Sequence, residues 1–225
     1  MATHLVTGAG SGIGEVLTDA LHARGDGLVL LARTRTRADE LASRWEGAQT
    51  LVADLADPAS AADLELPESL DSVVHAAGVV ALGPVAELSA QSWREQIDVN
   101  LLAPAELTRL ALPALRAARG TVVFVNSGAG LRANPEWAGY AASKHGLRAL
   151  ADALRAEELE HGVRVTSVYP GRTATPMQQR VHDHEGKEYD ADDWIRPETV
   201  ADAILHVLDL PRDATIPDVT VSPGP

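Results

Sequence analysis

The stretch HLVTGAGSGIG, residues 4–14, runs from a short apolar strand through a glycine cluster into an amphipathic segment. Its glycines have separate physical uses. Gly8 permits a tight turn at the strand end, Gly12 lets backbone approach a phosphate, and Gly14 allows a helix to pack closely on a sheet. With Gly10, Ser11 and Ile13 completing the turn, a helix that opens here supplies free N–H groups and a partial positive charge suited to a pyrophosphate. The spacing is Gly-x-x-x-Gly-x-Gly rather than the commoner dinucleotide-binding Gly-x-Gly-x-x-Gly.

Outward from this turn, apolar runs alternate with longer helical patterns. HLVTG, GLVLLA, AQTLVAD, SVVHAAG, GTVVFVNS, VRVTSVYP and TIPDVTVS read as seven strands. Helical patterns cover residues 12–24, 36–46, 91–117, 136–161 and 197–210, with a weaker one at 58–66. Strands alternating with helices imply right-handed βαβ crossovers and a parallel sheet covered on both faces. The expected fold class is therefore α/β, a Rossmann-type doubly wound sheet forming one domain over residues 1–225. Ligands in such a sheet bind beyond the carboxyl ends of the strands, near the switch in strand order.

Reaction chemistry is suggested by EWAGYAASKHG, where Tyr140 and Lys144 lie four residues apart in a helical pattern, and by Ser127 at the end of an apolar strand. Side chains at i and i+4 share one helix face, so a phenol and an ammonium placed this way point into one cleft. Free tyrosine has a pKa of about 10, and a positive charge about 4 Å away in a partly screened site is worth about 4 kcal/mol, or roughly three pKa units. Lys144 is thus expected to turn Tyr140 into an acid/base near neutral pH. Alone, Tyr-x-x-x-Lys is most often an ordinary surface pair; here it follows a glycine turn and a strand-end serine.

Taken together these residues resemble the short-chain dehydrogenase/reductase family in its compact form, over nearly the whole chain. Thr7 to Gly14 is similar to the family's Thr-Gly-x-x-x-Gly-x-Gly cofactor turn, and Asp54-Leu55 to its adenine-contacting pair. His75-Ala76-Ala77-Gly78 stands where the family usually has Asn-Asn-Ala-Gly. Asn100 matches a helix asparagine, and Ser127, Tyr140 and Lys144 match the catalytic set. Pro170-Gly171-Arg172-Thr173-Ala174-Thr175 resembles the nicotinamide-side segment Pro-Gly-x-Val-x-Thr, with Thr173 in place of valine. His75 and Ala76 replace the paired asparagines that usually brace the central strand.

The resemblance implies the sheet order 3-2-1-4-5-6-7 and the interconversion of a carbonyl and an alcohol with a nicotinamide cofactor. Tyr140 is then the proton donor or acceptor, and Ser127 bonds the same substrate oxygen. Lys144 lowers the tyrosine pKa and binds the nicotinamide ribose, and Asn100 holds a water that links Lys144 to solvent. Thr173, Thr175, Pro170 and Gly171 would meet the nicotinamide side, and Ala76, Ala77 and Gly78 the cofactor beyond the fourth strand. The family also implies a homodimer or homotetramer that buries the helices at 91–117 and 136–161.

Cofactor choice turns on the segment after the second strand, where an acidic residue would hold the 2′-hydroxyl of NAD(H). The chain has Leu31-Ala32-Arg33-Thr34 there and no carboxylate until Asp39. Arg33 suits a 2′-phosphate, with Arg35 and Arg37 nearby, so NADP(H) is favoured and NAD(H) is the alternative.

Composition narrows the remaining classes. The formal charge of −13 argues against nucleic acid as a partner. With no cysteine there is no disulfide framework and no thiol nucleophile, which fits a cytoplasmic protein. The first strand begins at once, so no signal peptide is expected, and no apolar run approaches the ~20 residues of a membrane span. His182-Asp183-His184-Glu185 is crowded in a polar stretch read as loop, and no metal site is expected from it. Residues 177–195, charged and bounded by Pro176 and Pro197, are expected to form a mobile lid over a small-molecule carbonyl or alcohol. Leu131, Trp137, Met177 and Trp194 are candidates for the pocket beneath it. Two rival readings are a non-catalytic dinucleotide-binding sensor or scaffold, which would usually lack the tyrosine or lysine, and an extended-branch epimerase or dehydratase, which needs a longer C-terminal part.

Overall fold

In the run Thr121–Val125, Val122 and Phe124 point into one apolar cluster while Val123 and Val125 point into another. Opposite faces of a strand are both buried only when both faces of its sheet are covered. The computed structural model, which describes residues 1–224, has that arrangement. Seven strands, β1 (Thr3–Thr7), β2 (Gly27–Ala32), β3 (Gln49–Val52), β4 (Ser72–His75), β5 (Thr121–Val125), β6 (Arg164–Pro170) and β7 (Asp218–Val221), pair in parallel in the order β3-β2-β1-β4-β5-β6-β7. The fold class and the strand order expected from the sequence are both present.

On one face lie α1 (Gly12–Ala23), α2 (Arg35–Arg44) and α7 (Pro197–Leu208), which bury Leu17, Leu21, Leu41, Val200 and Ile204 against Val6, Leu30 and Val123. On the other lie α4 (Ala103–Ala118) and α5 (Ala138–Glu157), whose Leu107, Leu115, Leu147 and Leu154 meet Leu5, Val29 and Phe124. The chain winds outward from β1 to β3, returns, and winds the other way from β4 to β7. The switch lies between β1 and β4, whose partner strands diverge and leave a crevice at their carboxyl ends.

The helical pattern at 91–117 proves to be three pieces: α3 (Ala90–Ile97), a π-helical turn at Asp98–Leu102, and α4. Pro104 supplies the reason. It has no N–H to give the Asn100 carbonyl four residues back, and its ring crowds that carbonyl, so the helix widens there. The weak pattern at 58–66 reduces to a short 3-10 turn over Pro58–Ala61. Among the described residues no helix is long and apolar enough to cross a membrane.

Candidate active site

The glycine turn is tied to the neighbouring strand end by close approach. Gly8 has φ +71°, and a Cβ there would lie 2.7 Å from the Ala77 nitrogen. A Cβ on Gly14 would lie 2.4 Å from the Gly8 carbonyl oxygen, so Gly14 lets the first turn of α1 press against the loop that precedes it. Thr7 completes the junction, its hydroxyl accepting from the Ala77 amide at 3.1 Å. Ser11 is the N-cap of α1, yet its hydroxyl makes no cap bond, so it leaves the first-turn amides directed at the cleft. Gly12 has φ +56°, and the Thr175 methyl lies 3.0 Å from where its Cβ would be.

A cleft of about 850 Å³ runs across the carboxyl ends of the strands from this turn. It takes in Gly8, Gly10, Ser11, Gly12 and Ile13, then Arg33 beyond β2, Asp54 and Leu55 beyond β3, and Ala76, Ala77 and Gly78 beyond β4. Ser127, Tyr140 and Lys144 line it farther on, with Pro170, Gly171, Thr173 and Thr175 beyond β6. Of the catalytic and cofactor-binding candidates, Gly14 and Asn100 do not line the cleft. Gly14 packs beneath it, as described. The glycine cradle, where side chains would fill the space, and the uncapped amides of α1 fit the pyrophosphate of a dinucleotide.

Ser127, Tyr140 and Lys144 converge at the far end. Tyr140 is buried at 6 % exposure, and burial raises its hydroxyl above the ordinary tyrosine range while the neighbouring Ser127 hydroxyl draws it partly back. Burial also pushes Lys144 down to about 8. The Lys144 Nζ donates to the Val125 carbonyl at 2.9 Å and lies 5.8 Å from the centre of the Tyr140 ring. This departs from the sequence expectation that Lys144 lowers the tyrosine. Desolvation is the largest cause for both and disfavours charge on each group. Ser127 also accepts from the Ala129 amide at 3.1 Å, which fixes its hydroxyl at the head of a 3-10 turn.

Sequence reasoning missed Asn126. Its side chain donates to the Lys144 carbonyl at 3.1 Å and accepts from the Ser127 amide at 2.9 Å, so one residue ties the serine to the helix that carries Tyr140 and Lys144. The available signal was a polar residue closing an otherwise apolar strand. Asn100 is buried in the π-helical turn, where its amide bonds Val79 in both directions at 2.9 Å and donates to Ser143 at 3.0 Å. With its side chain committed in this way, Asn100 holds the loop after β4 rather than facing the cleft. His75 takes over a bracing role. It stacks on Phe124 with centroids 5.0 Å apart and bonds the Thr108 hydroxyl at 2.9 Å, and burial followed by the Lys144 charge holds its pKa down to about 3.

Beyond β2, Arg33 is exposed, lines the cleft and has no side-chain partner among the described residues. Arg37 lines it too, donating to the Gly10 carbonyl at 2.8 Å while pairing with Glu40. Gly10 accommodates that guanidinium, since a Cβ there would sit 2.2 Å from it.

The segment expected as a loop over residues 177–195 contains α6 (Pro176–Glu185) and a 3-10 turn at Ala191–Asp193. The ends are clamped by a parallel bridge between Thr173 and Ile195, with Ala174 donating to the Ile195 carbonyl at 2.8 Å. The helix signals were present: Thr175 caps the Gln178 amide, Pro176 stands at the first turn, and Gly186 ends the helix at φ +64°. His182 is buried among Tyr189, Trp194 and the Gln178 carbonyl, with ring centroids at 5.3 and 4.9 Å. Trp194 faces His182 and Arg172 instead of the cleft, and Leu131 stands 43 % exposed outside it. Of the four pocket candidates, Trp137 and Met177 line the cleft. Trp137 meets Tyr140 edge to face at 5.8 Å.

Comparison with known proteins places this site in context. The family profile described as short chain dehydrogenase matches residues 2–186. An uncharacterised short-chain type dehydrogenase/reductase of Sinorhizobium fredii is 32 % identical over 224 residues, covering 97 % of this chain and 90 % of its own. An alcohol dehydrogenase from Thermococcus sibiricus, complexed with 5-hydroxy-NADP, has a TM-score of 0.83 at 27 % identity, covering 98 % of this chain and 96 % of its own. A 4-hydroxyisoleucine dehydrogenase complexed with NADH has a TM-score of 0.86 at 25 % identity, covering 99 % of this chain and 97 % of its own.

Proposed function

The chain belongs to the short-chain dehydrogenase/reductase family, NAD(P)-dependent oxidoreductases of small molecules, and from that premise we propose that it interconverts a carbonyl and an alcohol with Tyr140 as acid/base and NADP(H) as the preferred cofactor. The observation that carries this reading is the convergence of Ser127, Tyr140 and Lys144 at one end of a cleft whose other end is a glycine cradle beside Arg33. A nicotinamide held in this cleft would supply or accept the hydride; the rest is done by protein side chains. Ser127 donates to the substrate oxygen and fixes its direction. Tyr140 gives that oxygen a proton in reduction and removes one in oxidation. Lys144 stabilises the tyrosinate. Both groups are desolvated, so a phenolate beside an ammonium is the charged arrangement in which each offsets the other's burial. Asn126 and Asn100 position these residues from behind. We also infer that residues 177–195 act as a substrate lid; their clamped ends and the presence of Met177, Arg180 and Val181 on the cleft wall support this reading.

A panel of secondary alcohols and carbonyls, followed through nicotinamide absorbance with each cofactor, tests the reading. Turnover that disappears in Tyr140→Phe is the expected result. Tight NADP(H) binding with no turnover across the panel would favour a non-catalytic sensor on the same fold.

A further inference from the structure

Two guanidinium groups that line the cleft have no side-chain or backbone acceptor among the described residues: Arg33 at the adenosine end and Arg180 on α6. The other cleft cations are engaged. Lys144 donates to Val125, Arg37 to Gly10 and Glu40, and Arg172 to Glu185. Met177, Arg180, Val181 and His184 fall at i, i+3, i+4 and i+7 of α6 and so share one face. That face is held at both ends. The Met177 methyl lies 3.8 Å from where a Cβ on Gly78 would be, the same distance as the Lys144 ammonium, and His184 pairs with Glu136 at 3.5 Å in the loop before α5. Arg180 therefore lies on the cleft-lining face of α6, one turn from the Met177 end near Lys144.

We propose that Arg180 selects substrates bearing a carboxylate a few bonds from the reacting carbon. This rests on the oxidoreductase reading above, because it assigns the substrate class of that same site. A guanidinium fork matches a carboxylate with two parallel hydrogen bonds. Arg180 lies one helical turn from Met177, whose methyl and the Lys144 ammonium both approach Gly78, on the wall of the same cleft as Tyr140. One unengaged cation balances one negative charge; a phosphate monoester would call for a second, and Arg172 and Lys144 on this side are already bonded. The apolar part of the substrate would rest on Val80, Trp137 and Met177. Glu95 also lines the cleft, from α3, and Glu136 is taken up by His184.

Acetoacetate and methyl acetoacetate provide a matched pair differing by this charge. The parent, Arg180→Ala and Arg180→Lys are compared by kcat/KM for each probe, by calorimetric binding of acetoacetate to the NADP⁺-loaded protein, and by the Kd of NADP⁺. Arg180→Ala is expected to lower the acid-to-ester ratio and the acetoacetate affinity by about ten- to hundredfold, with Arg180→Lys recovering part of both and NADP⁺ affinity unmoved. An equal loss on acid and ester, or a loss of NADP⁺ affinity with the ratio preserved, would overturn the proposal while leaving the oxidoreductase reading intact. Arg180-dependent acetoacetate binding without turnover of either probe would uphold the charge selection and count against the oxidoreductase reading instead.

Discussion

Lys144 reaches back from α5 to the end of β5, where its ammonium donates to the Val125 carbonyl at 2.9 Å. The bond fixes the cation between the strand that ends in Ser127 and the helix that carries Tyr140, so its charge is a fixed part of the site. Its folded pKa of about 8 lies below the ordinary lysine value of 10.5. Between those two pH values the unfolded chain holds more protons than the folded one, so this group makes stability rise with pH across that window. Lys144→Met should remove that slope. Urea midpoints of parent and variant at several pH values from neutral to strongly alkaline would show whether the difference between them narrows or stays constant.

Rates should carry the same signature. With Tyr140 as the proposed acid/base, reduction needs it protonated and oxidation deprotonated, so reduction should fall and oxidation rise with pH about a shared midpoint. Removing the cation in Lys144→Met should move that midpoint upward, because a buried tyrosinate then has no counter-charge. An unmoved midpoint would restrict Lys144 to cofactor binding.

Tyr140→Phe takes away the hydroxyl and leaves the buried ring, including its edge-to-face contact with Trp137. Turnover should drop by orders of magnitude while the fold and the NADP(H) Kd stay close to the parent's. Fluorescence titration beside steady-state rates separates the two; activity near the parental level would remove Tyr140 from the chemistry.

Gly8→Ala should be among the most damaging single-methyl changes in the chain. The position has φ +71°, and the new carbon would sit 2.7 Å from one backbone atom and 2.8 Å from another at the end of β4. Positive φ alone costs about 1 to 3 kcal/mol, and neither backbone contact can yield without separating β1 from β4. Thermal unfolding should show a loss of more than about 2 kcal/mol, together with loss of cofactor binding. Gly25→Ala provides the comparison, since φ is similar at +76° and nothing lies within 4 Å; it should show the backbone penalty alone.

How far the sequence foretold these features depended on whether the determinant was local. The seven strands were legible because runs such as GLVLLA and TVVFV are apolar on both faces, and the glycine turn because its spacing is itself the geometry. Ser127, Tyr140 and Lys144 were legible because two share a helix face and the third ends a strand. Asn126 escaped because its importance lies in two hydrogen bonds, one of them to a residue 18 positions away. The widening of the helix at Asp98–Leu102 was hidden behind an apolar pattern that continues through Pro104. The helix Pro176–Glu185 was missed for a different reason. Thr175-Pro176 and Gly186 signalled it locally, but the charged composition between them was read as loop. Leu131 and Trp194 were misplaced because hydrophobicity alone does not say which way a side chain turns.

Glu185 closes α6 through Arg172, whose guanidinium holds its carboxyl down to about 2. A depressed carboxylate contributes stability above the ordinary carboxylate range, and that contribution is lost as pH falls from about 4.5 toward 2. Glu185→Gln should therefore loosen the segment 174–194 at neutral pH by about 1 kcal/mol, since both partners are partly exposed. Hydrogen exchange in that segment should quicken in the variant while β5 and β6 remain protected; uniform exchange in both proteins would show that the ion pair does not hold the segment.

Cofactor preference is the sharpest commitment at the adenosine end. A 2′-phosphate carries close to two negative charges and a ribose hydroxyl none, so the unpaired Arg33 should discriminate between the cofactors. Charge-assisted hydrogen bonds are worth about 1.5 to 3 kcal/mol, which predicts roughly ten- to hundredfold preference for NADP(H) over NAD(H). Arg37 complicates the expectation in a testable way. Its guanidinium already rests on the Gly10 carbonyl and on Glu40, so moving to a phosphate would forfeit those bonds. Arg33→Ala should thus erase most of the preference and Arg37→Ala a smaller part, while Ala32→Asp should reverse it by repelling the phosphate and offering the hydroxyl an acceptor. Dissociation constants and kcat/KM with each cofactor for the parent and the three variants decide the matter. A parent that prefers NAD(H), or an unchanged ratio in Arg33→Ala, would make Arg33 a solvated surface residue and the NADP(H) assignment wrong.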